Sequence, residues 1–540
     1  MTTACCDHGS LTPGSATLSV QLNSGQCEGN LRTPPQGGNG DNEPSATFLL
    51  PWTDPSAAAQ PARLFYGANV PSVPTTYGDG QTVVMGAGDL FGWTYSLDGG
   101  RTFRQRTTST QPTPRAFGQA VFSGDPAVVA INNPTVGAGL IAYAQMGRSF
   151  SNVSSGAQAS DYVVLSLSAN GGDTFPVTVR VNDFVGQTSV DQPDIAVDPT
   201  DRSVWITWRA FGSVSDAYVF VRGGSVGLAA DGVTPTITWF NNGVSIPTIY
   251  ALESAIGPRI RVFTSGGVRQ IAVAYSLHPL DLNCGTVGGR GRVDQTYAIS
   301  VSQNGGANWT HRSLLGTDVI GGYLSRPLVS CVTNLPAAQQ AASQWRPGFD
   351  YDPSSGNYFV AIQDASCAGG STVGTCQAIV VLRRSAAQVM TDTSAWATVM
   401  NTRGSTLYTP SGVQWQWLPE VKADGEGRLA LVYLQSDAST NTQTGAWITV
   451  ASNTSGSMSW HASRRLSMFN GVAADTTVTG RVAGDYLGIA AIPSTRTPPV
   501  NWPVATSVFR GWPGHFYPVF GSGATAAAMA VQTAGYNALP

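Results

Sequence analysis

The chemistry this chain could perform lies in a few charged residues at equivalent places. Only 11% of the residues are Asp, Glu, Lys or Arg, and Lys422 is the single lysine. Yet Asp125, Asp191, Asp194, Arg259, Arg346 and Glu420 stand at or near a recurring proline, and Asp485 with Tyr486 stands at the matching place in the last repeat. Arginine carries a planar fork that meets a carboxylate through two hydrogen bonds. Arg259 and Arg346 are therefore expected to face an anionic or hydroxyl-rich ligand, with Asp191, Asp194 and Asp485 as ligand-binding acceptors beside them. Convergent polar groups in a pocket are the usual mark of a binding site. The competing expectation is that these charges neutralise one another in a ring that staples neighbouring repeats.

Short strands must position such residues. The prolines are Pro126, Pro193, Pro258, Pro347 and Pro419, at intervals of 67, 65, 89 and 72 residues. One period back from Pro126 lies Pro61, and one period on from Pro419 lies Asp485. Two and four residues after each proline the side chains are mostly apolar: Val128 and Ala130, Ile195 and Val197, Ile260 and Val262, Phe349 and Tyr351. Side chains in a strand alternate between faces, so the charged flanks point away from the apolar positions. A proline at a strand's first residue costs no ladder hydrogen bond, and the prolines are expected there. Further apolar runs follow at 140–144, 204–208, 271–275, 358–362 and 429–434.

A second repeat marks the turns. Ser96-Leu97-Asp98-Gly99-Gly100-Arg101-Thr102-Phe103 recurs as Ser168-Ala169-Asn170-Gly171-Gly172-Asp173-Thr174-Phe175 and as Ser302-Gln303-Asn304-Gly305-Gly306-Ala307-Asn308-Trp309. The Asp or Asn side chain can accept backbone N–H groups. The glycine pair supplies positive φ angles, and the closing aromatic can anchor the turn by burial. Four strands in a unit of about 70 residues is the sequence pattern of propeller blades. The expectation is an all-β, four-stranded-blade β-propeller, residues 61–540, with seven blades favoured over six. Residues 1–60 read as an N-terminal extension that can supply a closing strand.

The boxes resemble the Asp-box, or BNR repeat, of sialidases and related propellers. That resemblance implies an arginine cluster for a carboxylate, a tyrosine nucleophile assisted by a glutamate, and an aspartate acid/base. Tyrosine nucleophiles are a recognised exception among glycosidases. Carried onto this chain, it names Tyr486, Glu420 and Asp125 as catalytic. The family's Arg-Ile-Pro signature is absent, and Arg63-Leu64-Phe65 is its nearest substitute.

Composition narrows the rest. The net charge of −3 and the lack of a basic stripe argue against nucleic-acid binding. No apolar run reaches the length needed to span a bilayer. His278, His311, His461 and His515 show no ligand spacing, so no metal and no cofactor is expected. Trp415, Trp417, Trp502 and Trp512 could stack on sugars or pack between blades. Of the 7 cysteines, Cys367 with Cys376 and Cys284 with Cys331 are expected to form disulfides, leaving Cys5, Cys6 and Cys27. The low charge and loop cysteines suit an extracellular or cell-surface protein, although no signal sequence follows Met1. The leading expectation is a propeller that recognises a glycan or similar polar ligand at its central mouth, with exo-glycosidase hydrolysis left open. The alternative is a non-catalytic structural or adhesion subunit that self-associates through the N-terminal extension.

Overall fold

The structure is a computed structural model that describes residues 18–21, 42–53, 59–69, 75–77, 80, 82–83, 92–97, 110–111, 113–132, 138–154, 160–183, 189–211, 217–240, 243–246, 253–279, 294–316, 326–327, 346–364, 378–402, 416–436, 443–461, 463–470, 487–492, 515–522, 530–533 and 535–538. It is an all-β propeller, with short helices at Phe150–Ser154 and Ala386–Val389. The inner strands are Asn42–Leu49 (β1), Gln119–Ala130 (β2), Ser189–Asp198 (β3), Glu253–Ser265 (β4), Gly348–Asp352 (β5), Gln416–Ala423 (β6) and Gly488–Ile492 (β7). Each packs beside the next, and β7 returns to β1, which closes the ring.

Among the described residues, six of these strands open a four-stranded antiparallel blade. From β2, for example, the blade runs outward through Ile141–Ser149, Tyr162–Ser168 and Val177–Arg180. The blade of β7 continues through His515–Ser522 and Gly535–Ala538, and its fourth strand is Leu18–Gln21. The sheet of β1 has three strands, β1, Arg63–Asn69 and Gly92–Ser96. The expectation of seven four-stranded blades is thus corrected to six, with a three-stranded sheet between the last and the first. A proline period counts inner strands, and an inner strand does not guarantee a complete blade. Pro44 lies in β1, whereas Pro61 precedes the second strand of that sheet.

Stacking buries both faces of the middle strands, which read as continuous apolar runs. All nine residues of Ile141–Ser149 are buried. Between the sheets of β2 and β3 the core includes Leu165, Ile195, Ile206 and Trp208. Area removed from water on this scale is the main favourable term of the fold.

Pro347 directly precedes β5, as expected. Pro126, Pro193, Pro258 and Pro419 do not head their inner strands but interrupt them at β-bulges, the other position where a sheet tolerates proline. The register slips between Gly124 and Ala127, Asp191 and Asp194, Ile256 and Arg259, and Trp417 and Glu420. At each slip the residue before the proline has positive φ: Asp125 at 53°, Gln192 at 49°, Gly257 at 62° and Leu418 at 50°. For the three that are not glycine this costs about 1–3 kcal/mol each, strain of the kind that gathers at functional sites. Hydrogen bonds link these bulges from blade to blade. The Gln192 N–H donates to Asp125 Oδ2 at 3.1 Å, and the Gly257 N–H donates to Gln192 Oε1 at 2.9 Å.

Two copies of the repeated box lie within the described residues, each joining the third and fourth strands of its blade. The Gly172 N–H donates to Ser168 Oγ and the Gly306 N–H to Ser302 Oγ, both at 2.9 Å. Asn170 Oδ1 accepts the Thr174 N–H, and Asn304 Oδ1 accepts the Asn308 N–H. The closing Phe175 is buried edge-on against Phe65, Trp93 and Tyr143. Both turns therefore serve the packing of the blades. Most of the copy at 96–103 lies outside the described residues, as do all seven cysteines.

Candidate functional site

Inside the ring the inner strands enclose a cavity of about 260 Å³. A bulge re-aims the side chains that follow it. Here the residues one and three places after the prolines reach the cavity: Asp194 from β3, Arg259 and Arg261 from β4, Glu420 and Lys422 from β6. Arg346, just before β5, joins them.

Asp194 is the hub. Its Oδ2 lies 3.4 Å from Arg259 Nε and 3.4 Å from Arg261 Nη1, and its Oδ1 lies 3.4 Å from Arg346 Nη2. The Ile260 N–H also donates to Oδ2, at 2.9 Å. Arg259 Nη2 reaches Glu420 Oε1 at 2.6 Å. Arg261 Nε lies 2.5 Å from Asp350 Oδ1, and Lys422 Nζ lies 3.2 Å from Asp350 Oδ2. Four cations and three carboxylates thus form one connected network.

Burial and charge pull these groups apart. Burial pushes the Asp194 carboxyl up, but Arg259, Arg261, Arg346 and the Ile260 N–H outweigh it and hold it below the usual carboxylate range. Asp350 is likewise held low, because Lys422, Arg261 and the Ala423 N–H overcome its burial. Glu420 goes the other way. Burial raises it to about 7 against the pull of Arg259, with the neighbouring Asp194 charge adding to the rise. Two carboxyl groups that share one guanidinium therefore differ in protonation near neutrality, a pattern that marks acid and base assignments in enzymes.

The rest of the wall is uncharged. Most of it comes from β1 (Ser45, Ala46, Thr47, Phe48), from the β2 region (Pro126, Val128, Val129, Ala130, Asn132) and from the β7 region (Leu487 to Ala491), with Ile195, Ala196, Val197 and Val262 beside the charged groups. The cavity is therefore lateral in its chemistry, with charge on the β3–β6 side and neutral surface opposite.

Of the residues expected from the sequence, the structure brings Asp194, Arg259, Arg346 and Glu420 together. Asp125 and Asp191 are not on the cavity wall. Asp125 receives the Gln192 N–H at the bulge, and Asp191 faces Arg209 at 3.8 Å. Asp485 and Tyr486 lie outside the described residues. Arg63 is in the second strand of its sheet, off the cavity wall, paired with Asp173 at 2.9 Å and stacked on Trp52 and Tyr95. Arg261, Asp350 and Lys422 were missed. Period-two alternation carries the signal for them, because positions one and three after a proline share a face.

The other candidates stand elsewhere. His311 Nδ1 bonds Ser300 Oγ at 2.7 Å in an outer strand, where burial and Arg312 lower its pKa. Trp417 is fully buried in β6, and Trp415, Trp502 and Trp512 lie outside the described residues. Among the described residues, no helix is long and apolar enough to cross a membrane.

No protein-family model matches the chain. No curated protein matches it either. Solved structures similar to it include a Hadza microbial sialidase, 12% identical over 88% of this chain and 74% of that one, with a TM-score of 0.39. Another is an α-L-arabinofuranosidase of Fusarium graminearum in complex with arabinobiose, 10% identical over 75% and 91%, with a TM-score of 0.39. A third is a levansucrase of Bacillus subtilis, 8% identical over 65% and 88%, with a TM-score of 0.33. At these scores the likenesses carry no weight for activity, and the reading of the site rests on its own geometry.

Proposed function

We propose that this propeller binds a glycan, or a similarly polar small ligand, in its central cavity. One observation carries the reading. In a chain with 11% charged residues, the cavity gathers Asp194, Arg259, Arg261, Arg346, Glu420 and the only lysine on one side. Its volume of about 260 Å³ suits a small ligand, being just below the range of ~300–1,000 Å³ common for ligand pockets. Sugar hydroxyls would bond the charged side, and sugar C–H faces would lie on the neutral wall. A glycan array tests this with Arg259→Ala and Arg346→Ala beside the wild type. Each substitution is expected to weaken binding by about 10- to 100-fold, the worth of a hydrogen bond to a charged group. Binding that ignores both substitutions would remove the cavity from consideration.

The unequal carboxyl groups favour a hydrolytic form of the same reading. Glu420, raised to about 7, would donate its proton to the leaving oxygen as the glycosidic C–O bond breaks, a water molecule would add to the anomeric carbon and its released proton would restore Glu420, and Asp194 would stay ionised. Turnover of a fluorogenic glycoside panel, lost in Glu420→Gln with binding kept, is the expected result. The secreted or surface location, a nucleophilic role for Tyr486 and the disulfides belong to the same proposal, whereas Asp125, off the cavity wall, is given no catalytic role in it.

The structural or adhesion reading draws on the ion pairs themselves, which are also what a staple between blades would need. It requires self-association. A monomer with and without reductant, unchanged on deletion of residues 1–17, which precede the strand Leu18–Gln21, would reject it.

A further inference from the structure

The charges of the cavity do not balance. Among the described residues, its wall carries four cations, Arg259, Arg261, Arg346 and Lys422, and two carboxyl groups, Asp194 and Glu420. A third carboxylate, Asp350, pairs with Arg261 and Lys422 from off the wall. The cluster is therefore positive even with Glu420 ionised, and more so as Glu420 takes up its proton near pH 7. Unmatched charge in a poorly solvated site is unfavourable, and a bound counter-ion relieves it.

The surplus has a place. Arg261 Nε and Lys422 Nζ turn to the same oxygen, Asp350 Oδ1, at 2.5 and 3.4 Å, so two cations share one carboxylate. The other printed bonds of Arg261, to the Ile260 carbonyl and Asp194, engage Nη1 and leave Nη2 facing none of these groups. Lys422 has three N–H donors and meets Asp350 with one side of its ammonium. These two side chains are also the best exposed of the network, at 15% and 32%, whereas Arg259, Arg346, Asp194 and Glu420 are at 9% or less. We propose that Lys422 and Arg261 form an oxyanion site in the cavity and that its ligand is a sugar bearing a phosphate monoester. This proposal rests on the glycan-binding reading above.

Two features favour a phosphate over a carboxylate or a sulfate ester. A carboxylate pairs best with two N–H groups of one guanidinium fork, and Arg261 already has Nε and Nη1 engaged. A phosphate spreads its oxygens over separate donors, and an ammonium meets it as a point charge. The second feature is charge. A phosphate monoester carries about −1.5 to −2 at pH 7, whereas a sugar carboxylate or sulfate ester carries a single charge. The surplus is one charge with Glu420 ionised and two with it protonated. A monoanion would leave a cation unmatched whenever Glu420 is protonated, and the phosphate covers both states. The neutral wall, with Phe48, Val128 and Ile489, is left for the sugar ring.

Two arms test the proposal at pH 7. The first uses inorganic phosphate, with sodium chloride at equal ionic strength as the reference. Phosphate is expected to raise the Tm of the wild type by about 2 °C or more beyond any rise in Lys422→Gln. Lys422→Arg, which restores the charge, is expected to recover the shift. Equal shifts in wild type and Lys422→Gln are what salting-out alone produces and would overturn the proposal. Should Lys422→Gln fail to fold, Lys422→Met takes its place. The second arm is calorimetry with glucose, glucuronate, glucose 6-sulfate and glucose 6-phosphate, and with the matching galactose and mannose series. The 6-phosphate is expected to bind at least about tenfold more tightly than the other three, a margin that Lys422→Gln removes. A neutral sugar or a monoanion binding as tightly would overturn the proposal and leave the glycan-binding reading standing. A Lys422-dependent phosphate shift with no sugar of any kind bound would keep the oxyanion site and reject the glycan-binding reading. Neither a phosphate shift nor sugar binding would count against both.

Discussion

The two sides of the cavity are built alike and equipped differently. On the neutral side, Ser45 and Thr47 of β1 accept the N–H groups of Val128 and Ala130 of β2. On the charged side, Asp194 of β3 accepts the Ile260 N–H of β4, and Asp350 of β5 accepts the Ala423 N–H of β6. In both, a residue one or three places after the proline reaches the backbone two or four places after the next proline. The fold needs an acceptor at these positions. It does not need a charge, because serine and threonine suffice on one side. What the acids add on the other side is a place for Arg259, Arg261, Arg346 and Lys422, and that surplus is the part of the molecule to read as function.

The comparison breaks most visibly at Asp194. Asp194→Ala leaves three arginines, Arg259 and Arg346 buried and Arg261 partly so, short of their common partner and the Ile260 N–H without its acceptor. Removing one partner of a buried ion pair costs about 3–5 kcal/mol, and denaturant unfolding should show a loss of that order. Asp194→Ser should recover only the part due to the Ile260 N–H, leaving most of the loss in place. Full recovery by serine would mean that the two sides are equivalent after all. The next effect in size belongs to Gly257, where φ is 62° and an added Cβ would come within 2.6 Å of the Arg346 Cα. Gly257→Ala should cost about 1–3 kcal/mol and weaken ligand binding as well, since it presses on the backbone that carries Arg346.

Much of this arrangement is visible before any coordinates. The proline period and the alternation after it show a propeller and mark one face of each inner strand. The boxes name their own turns, and the two described copies make the serine and asparagine bonds that their residue types suggest. Three things stayed hidden, each for a physical reason. Pro44 sits at the end of a loop-like run, so β1 was read as part of an extension. A bulge depends on the φ of the preceding residue, and Asp, Gln, Gly and Leu at 125, 192, 257 and 418 share no side-chain chemistry. The pairing of the charges could not be foreseen at all: Arg259 and Glu420 are 161 residues apart, and only closure of the ring brings them together. Attention to the residues touching each proline found Asp194, Arg259, Arg346 and Glu420. One more step along the same face would have found Arg261, Asp350 and Lys422.

A smaller effect sharpens the contrast through pH. Glu420 is raised from 4.5 to about 7 in the folded protein. A carboxyl group raised in this way binds its proton more tightly folded than unfolded, so its contribution to stability is whole below about pH 4.5 and is lost as pH rises toward 7. Asp194 has the opposite sign: its stabilisation is present above the unfolded pKa near 3.8 and fades as pH falls through its lower folded value. Between pH 4.5 and 7 the Glu420 trend should therefore stand alone among the two. Tm measured across that window should fall less steeply in Glu420→Gln than in the wild type, and identical slopes would place the titration elsewhere.

The smallest effect is expected at Ser45. Ser45→Ala removes one neutral acceptor and leaves the Val128 N–H to find another, which should cost about 0.5–1.5 kcal/mol. Because no cation depends on Ser45, ligand binding should weaken far less than in Arg259→Ala or Arg346→Ala. The substitution thus measures the staple by itself, separated from the charge. If Ser45→Ala weakened ligand binding as strongly as Arg259→Ala, the neutral wall would be reading the ligand too, and the division between a structural side and a recognising side would have to be given up.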